Sequence, residues 1–89
     1  MVFVTEVRLT GGEGHHQYIS EVRWVNPDTN ETNVSTRQQM VDWIRNGGQA
    51  LVRNGTRVVP VRVVEATPPY IQTVADGVWT DNLLALPRF

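Results

Sequence analysis

The chain has 89 residues, no Cys, and a formal net charge of −1, with nine acidic residues against eight basic ones. These figures exclude a disulfide framework and a thiolate metal site. They also argue against sequence-blind nucleic-acid binding, which relies on a basic surplus.

Residues 1–89 are expected to form one domain, burying a little over ~60% of the unfolded surface. All eight basic residues are Arg. Guanidinium forks suit planar anions such as phosphate, although codon usage gives the same bias with no site attached. The opening MVFVTEVRLT has no basic stretch followed by a long apolar run, so it is not read as a signal peptide. No apolar run approaches the ~18 residues of a membrane span, and a cytoplasmic location is the expectation.

Residues 3–10 alternate, with Phe3, Val7 and Leu9 on one face and Glu6, Arg8 and Thr10 on the other. Period two predicts a half-buried strand. A glycine-rich loop, Gly11-Gly12-Glu13-Gly14-His15-His16-Gln17, leads to a second strand over 18–25. There Val22 and Trp24 face one side, and Glu21 and Arg23 the other. The two strands predict an antiparallel hairpin. Residues 26–33, opening Asn26-Pro27-Asp28, read as a polar turn.

A helix is predicted next. Ser35 with Gln38, or Thr36 with Gln39, has the spacing of a capping box. Met40, Val41 and Ile44, flanked by Trp43, form the apolar stripe, and Gly47-Gly48 ends the helix. Strands over 49–53 and 57–64 flank Asn54-Gly55, which predicts a type I′ hairpin turn. Pro60 lies inside the returning strand and donates no ladder hydrogen bond, which predicts an edge strand or a bulge. Strands over 70–74 and 78–80 follow, joined at Asp76-Gly77, and 83–89 pack as a strand or a helical turn. The apolar residues after Tyr70 predict a docked C-terminal segment. The fold class expected is α+β: a small curved antiparallel sheet or partly closed barrel with one helix, in the order ββαββββ.

No catalytic constellation stands out. Asp76 and Asp81 are close enough in sequence for an acid–base pair, but each also suits a turn. His15 and His16 are neighbours, so in an extended segment their rings point to opposite faces and do not share a metal. One of them with Glu13 or Asp81 makes only an incomplete ligand set. No metal and no cofactor are expected. The glycine-rich loop lacks the Gly-Lys-Ser/Thr ending of a P-loop. Its backbone N–H groups suit an anion-binding concavity or a plain hairpin loop. Trp24, Trp43 and Trp79 suit the core, but a Trp that lines a cleft offers a stacking face.

Three blocks resemble Domain of Unknown Function 3892, a family of small bacterial and phage proteins. The first runs from Gly11-Gly12-Glu13-Gly14-His15-His16-Gln17-Tyr18-Ile19 to Val22 and Trp24. The second is Ser35-Thr36-Arg37-Gln38-Gln39-Met40-Val41-Asp42-Trp43-Ile44. The third runs from Tyr70-Ile71-Gln72-Thr73 through Asp76-Gly77 to Trp79-Thr80-Asp81-Asn82-Leu83-Leu84-Ala85-Leu86-Pro87. The resemblance implies a compact single domain and carries no activity with it.

The functional expectation is a non-catalytic, homo-oligomeric binding module for a small anionic molecule or nucleotide. Arg23 or Arg88 would pair with phosphate and Trp79 would stack. Asp81 or Asn82 would hold a ribose or base edge, with His15, His16 and Thr80 beside them. In a phage setting such a protein would sequester a host nucleotide immune signal. A protein-interaction module using an edge strand or helix face is the alternative. A small nucleotide- or sugar-modifying enzyme is the third reading.

Overall fold

The computed structural model describes residues 1–11 and 14–89; Gly12 and Glu13 of the glycine-rich loop, and with them the Glu13 metal-ligand reading, lie outside the described residues. Among the described residues, seven strands form one mixed sheet that is not closed, with one α-helix against it. The strands are β1 (Val2–Leu9), β2 (Ile19–Val25), β3 (Thr32–Thr36), β4 (Ala50–Asn54), β5 (Arg57–Val64), β6 (Tyr70–Ala75) and β7 (Val78–Thr80). Helix α1 (Arg37–Arg45) falls between β3 and β4, and a short 3-10 turn, His16–Tyr18, precedes β2. The sheet order is β3-β2-β1-β4-β5-β6-β7.

Three features of the sheet's topology depart from the sequence reading. The first is β3. Its polar residues were read as part of a turn and as a cap, yet it pairs antiparallel with β2 from Glu21↔Thr36 to Val25↔Thr32. The observed order is therefore βββαββββ rather than ββαββββ. A strand with mostly exposed side chains carries no alternation of apolar residues, so its pairing leaves no mark in the sequence.

The second is the direction of β4, which runs parallel to β1 through Val2↔Ala50 and Phe3↔Leu51. Helix α1 makes the crossover that a parallel neighbour requires. The two strands then separate, and residues 87–89 fill the far half of β1. Val7 N–H donates to the Pro87 carbonyl at 3.0 Å, and Phe89 N–H donates to the Val7 carbonyl at 3.2 Å.

The third is Pro60. β5 is an interior strand, flanked by β4 and β6. Residues 57–60 pair with β4 and residues 61–64 with β6, so Pro60 stands where the strand changes partner. No interior ladder has to give up a donor there.

The face assignment of β1 also changes along its length. A register shift between Val4 and Glu6 puts Val2 and Val4, and then Val7, on the core side. Phe3 therefore faces the opposite side from Val7. One extra residue in a β-bulge inverts the alternation beyond it.

Both predicted hairpin turns form, but the type I′ geometry expected at Asn54-Gly55 is found at Asp76-Gly77 instead. Asp76 and Gly77 both take positive φ (54° and 77°), as a type I′ turn needs. The other loop is Gly55-Thr56, with Asn54 paired to Arg57 and only Gly55 at positive φ (63°), the pattern of type II′.

The helix is set by its ends. Thr36 Oγ1 accepts from Gln39 N–H at 3.1 Å, and Gln39 Oε1 accepts from Thr36 N–H at 2.8 Å, completing a capping box. At the C-terminus Gly47 N–H donates to the Ile44 carbonyl (3.0 Å) and Gly48 N–H to the Trp43 carbonyl (2.9 Å), a Schellman motif. Gly47 supplies the left-handed φ of 97° that the motif requires. Met40 and Val41 are buried, each contributing roughly 1.5–3 kcal/mol by leaving water. They join Val22, Ile71, Val61 and Leu83 in the core.

Residues 81–86 are neither all strand nor a regular helix. Ala85 N–H donates to Asp81 and Leu86 N–H to Leu83, closing one turn that buries Leu83 before the extended 87–89. Among the described residues, no helix is long and apolar enough to cross a membrane.

Candidate functional site

Strands β2 and β3 and helix α1 create a cleft through one adjacency. Trp24 follows Val22 on the core side of β2, at the end of the sheet where the core runs out. Antiparallel pairing sets Val22 opposite Ser35 and Trp24 opposite Asn33. The Trp24 Nε1–H then donates to Ser35 Oγ at 2.9 Å, which fixes the ring. From the helix, Trp43 stands one turn beyond Gln39 and Met40, so its indole overhangs the same space. The indole lies on Gly48, where a Cβ would fall 2.2 Å from Trp43 Cδ2. Glycine is needed there for close approach, since Gly48 does not sit at positive φ.

The resulting cleft measures about 390 Å³. Trp24 and Trp43 form its aromatic walls, Val2 and Met40 contribute apolar surface, and Asn26, Glu31, Ser35 and Gln39 supply the polar groups. The Asn26 side of the rim is held by backbone bonds: Asn26 N–H donates to Glu31, and Asn30 N–H donates to Asn26, both at 2.8 Å. Asn26 Oδ1 accepts from Asp28 N–H at 3.0 Å. Gln39 commits its oxygen to the helix cap and keeps its amide N–H groups for other partners. Ser35 Oγ accepts from Trp24, and its own proton remains available to donate. Among the described residues, Glu31 is the one carboxylate lining this cleft, and no guanidinium lines it.

The residues singled out in the sequence fall into separate groups. His16 is buried at 7% exposure, with its Nε2 4.0 Å from Asp81 Oδ1 and no hydrogen-bond partner for that nitrogen among the described residues. Burial holds the His16 pKa below its ordinary value, and the Asp81 carboxylate partly opposes this. Beside Asp81, Thr80 Oγ1 lies 2.7 Å from Thr73 Oγ1, and Asn82 Nδ2 donates to Thr80 Oγ1 at 3.0 Å. Asn82 Oδ1 accepts from Asn54 Nδ2 at 2.7 Å, tying this turn to the β4–β5 hairpin. His16, Thr80, Asp81 and Asn82 are thus neighbours, and Thr80 and Asn82 are spent on internal bonds.

His15 is exposed and meets the Tyr18 ring edge-on at 5.9 Å. Trp79 is 48% exposed on β7. Arg23 is ion-paired with Glu6 at 2.9 Å and lies 4.8 Å from the Phe89 ring centroid. Arg88 donates to the carbonyls of Leu84 (2.9 Å) and Leu86 (2.7 Å), bracing the C-terminal turn. Among the described residues, no three His, Asp or Glu side chains group as a metal site would need.

Sequence reasoning named Trp24 and Trp43 as ambiguous aromatics but did not foresee Asn26, Glu31, Ser35 and Gln39 as their companions. Ser35 was read as one of two alternative helix caps, beside Thr36. The missing signal was β3, because only its pairing with β2 brings Ser35 to Trp24.

Residues 3–87 match the family described as Protein of unknown function (DUF3892). The chain belongs to this family. The match spans nearly the whole chain and takes in both Trp of the cleft. No curated protein and no solved structure matches the chain.

Proposed function

We propose that this protein is a non-catalytic small-molecule-binding module that takes a flat, hydrogen-bonding ring, such as the base of a nucleotide, between Trp24 and Trp43. The observation that carries the reading is the cleft itself, at about 390 Å³ with two indoles on its walls. Ligand pockets commonly span ~300–1,000 Å³, mostly apolar with a few placed polar groups. Stacking of a base on an aromatic side chain contributes roughly 1–3 kcal/mol. The polar rim offers both donors and acceptors, as the edge of a heterocycle requires. With Glu31 present and no guanidinium at the wall, the ring is the recognised part, and an anionic part of the ligand projects toward solvent.

Homo-oligomerisation belongs to the same proposal. β7 is an edge strand whose Val78 and Trp79 are 63% and 48% exposed. An exposed apolar edge is a template for pairing with another strand, and the net charge of −1 opposes association little. The same edge favours a second reading, a protein-interaction module that recruits a different chain through β7.

Native mass spectrometry of the protein purified from cells tests both. An oligomer carrying a discrete extra mass, released on unfolding and lost in Trp43→Ala, is the expected result. An empty monomer that co-purifies one stoichiometric protein would favour the second reading and remove the first.

A further inference from the structure

We infer that the opposite side of the sheet carries a second binding site, for a small organic anion with a flat apolar body, such as an aromatic carboxylate, held by Arg53 over Phe3. This inference is independent of the Trp24–Trp43 reading. Strand alternation builds the site. Val2 and Val4 point into the core, so Phe3 between them points out; Val52 is buried, so Arg53 beside it also points out. Phe3 neighbours Val25 on one side and Leu51 on the other. A cleft of about 480 Å³ opens here, with Phe3, Val25, Pro27 and Leu86 as apolar walls and Thr5, Asn30 and Arg53 as polar groups.

Charge and geometry commit the site to one class of occupant. Four other arginines have carboxylate partners: Arg8 with Glu21, Arg23 with Glu6, Arg45 with Glu65 and Arg57 with Asp76. Among the described residues, Arg53 has no ion pair and no side-chain hydrogen bond, and no carboxylate lines its cleft. Its Cζ lies 4.8 Å from the Phe3 ring centroid. The guanidinium lies over the ring, a cation–π contact that uses none of its N–H donors. A planar carboxylate matches those donors in a bidentate pair. The apolar walls account for the rest of the ligand, because a single guanidinium with few other donors is a poor site for a bare inorganic anion.

The test is a titration of the isotope-labelled full chain with 2-naphthoate at constant ionic strength, followed by backbone and arginine N–H NMR signals. Saturable shifts are expected at Thr5, Val25, Asn30 and the Arg53 Nε–H. Arg53→Met keeps an apolar stem over Phe3 and should weaken binding about tenfold or more, as loss of a charged hydrogen bond does. Uncharged 2-naphthamide on the unaltered chain should bind weaker by about the same factor, which keeps the test independent of the variant's folding. No saturable shift at millimolar naphthoate would overturn the inference. Equal binding of naphthoate and naphthamide, or shifts confined to Trp24 and Trp43, would do the same.

Discussion

Gly48→Ala gives the most direct reading of how the fold supports the cleft. An alanine Cβ would lie 2.2, 2.4 and 2.6 Å from Trp43 Cδ2, Cε2 and Cε3. Ordinary carbon contacts lie near ~3.5–4.0 Å, so the fused ring must withdraw by more than about 1 Å. The atoms in the way belong to the rigid bicycle, not to a flexible tip, so the whole indole has to swing off the helix end. Overpacking of this kind costs about 1–3 kcal/mol. For a domain of this length each kcal/mol lowers Tm by roughly 4–8 °C.

Gly47→Ala is the comparison. Its Cβ meets nothing within 4 Å, but φ is +97°, so the cost is backbone strain of about 1–2 kcal/mol. Denaturant unfolding measures both costs, and the Trp43 indole N–H signal separates their causes. Gly48→Ala should move that signal and weaken any ligand held by the cleft; Gly47→Ala should lose stability with the signal in place. If Gly48→Ala were within about 0.5 kcal/mol of the unaltered chain and Trp43 did not move, the close-approach argument would be refuted.

Two further outcomes follow from single contacts. His16 has a folded-state pKa below its ordinary 6.5 because it is buried, so the unfolded chain takes up the proton first as pH falls. Stability present above pH 6.5 is therefore lost as pH drops from there through the folded-state pKa; His16→Gln should flatten this part of a Tm-versus-pH series, and an unchanged slope would count against the burial of the ring. The Phe89 ring lies 4.7 Å from Arg8 Cζ and 4.8 Å from Arg23 Cζ. At about 0.5–1 kcal/mol for each exposed cation–π contact, Phe89→Leu should cost roughly 1–2 kcal/mol in urea unfolding, and a neutral result would mean that the ion pairs and the Arg8 hydrogen bond to the Phe89 carbonyl hold these arginines without the ring.

Elements with a local signature were legible in the sequence, and elements defined by a distant partner were not. Helix α1 announced itself through Thr36, Gln39 and Gly47, whose roles depend on neighbours within four residues. The Asp76-Gly77 turn was equally local. Strand β3 was invisible because Thr32, Asn33 and Thr36 are exposed, and only the pairing with β2 orders them. Pro60 misled for a related reason: its chemistry forbids a ladder donor, and only the handover between β4 and β6 reveals how an interior strand meets that demand. The face of Phe3 turned on one bulged position in β1.

The candidate site inherits these limits. Trp24 and Trp43 were visible as unusual residues, but their meeting depends on β3 and on the Trp43–Gly48 contact. Around Asp81, residues 80–82 are contiguous in sequence, and only the fold brings His16 to them. What the sequence hid was how fully Thr80 and Asn82 are used by Thr73 and Asn54.

The central claim is that the Trp24–Trp43 cleft, and not the exposed Trp79, receives a flat ligand. The three indole N–H signals of one labelled sample decide it during titration with a panel of nucleosides. The account predicts that a binding nucleoside shifts Trp24 and Trp43 together to saturation and leaves Trp79 in place. A saturable shift of Trp79 with Trp24 and Trp43 unmoved would contradict it, as would a panel in which no indole responds.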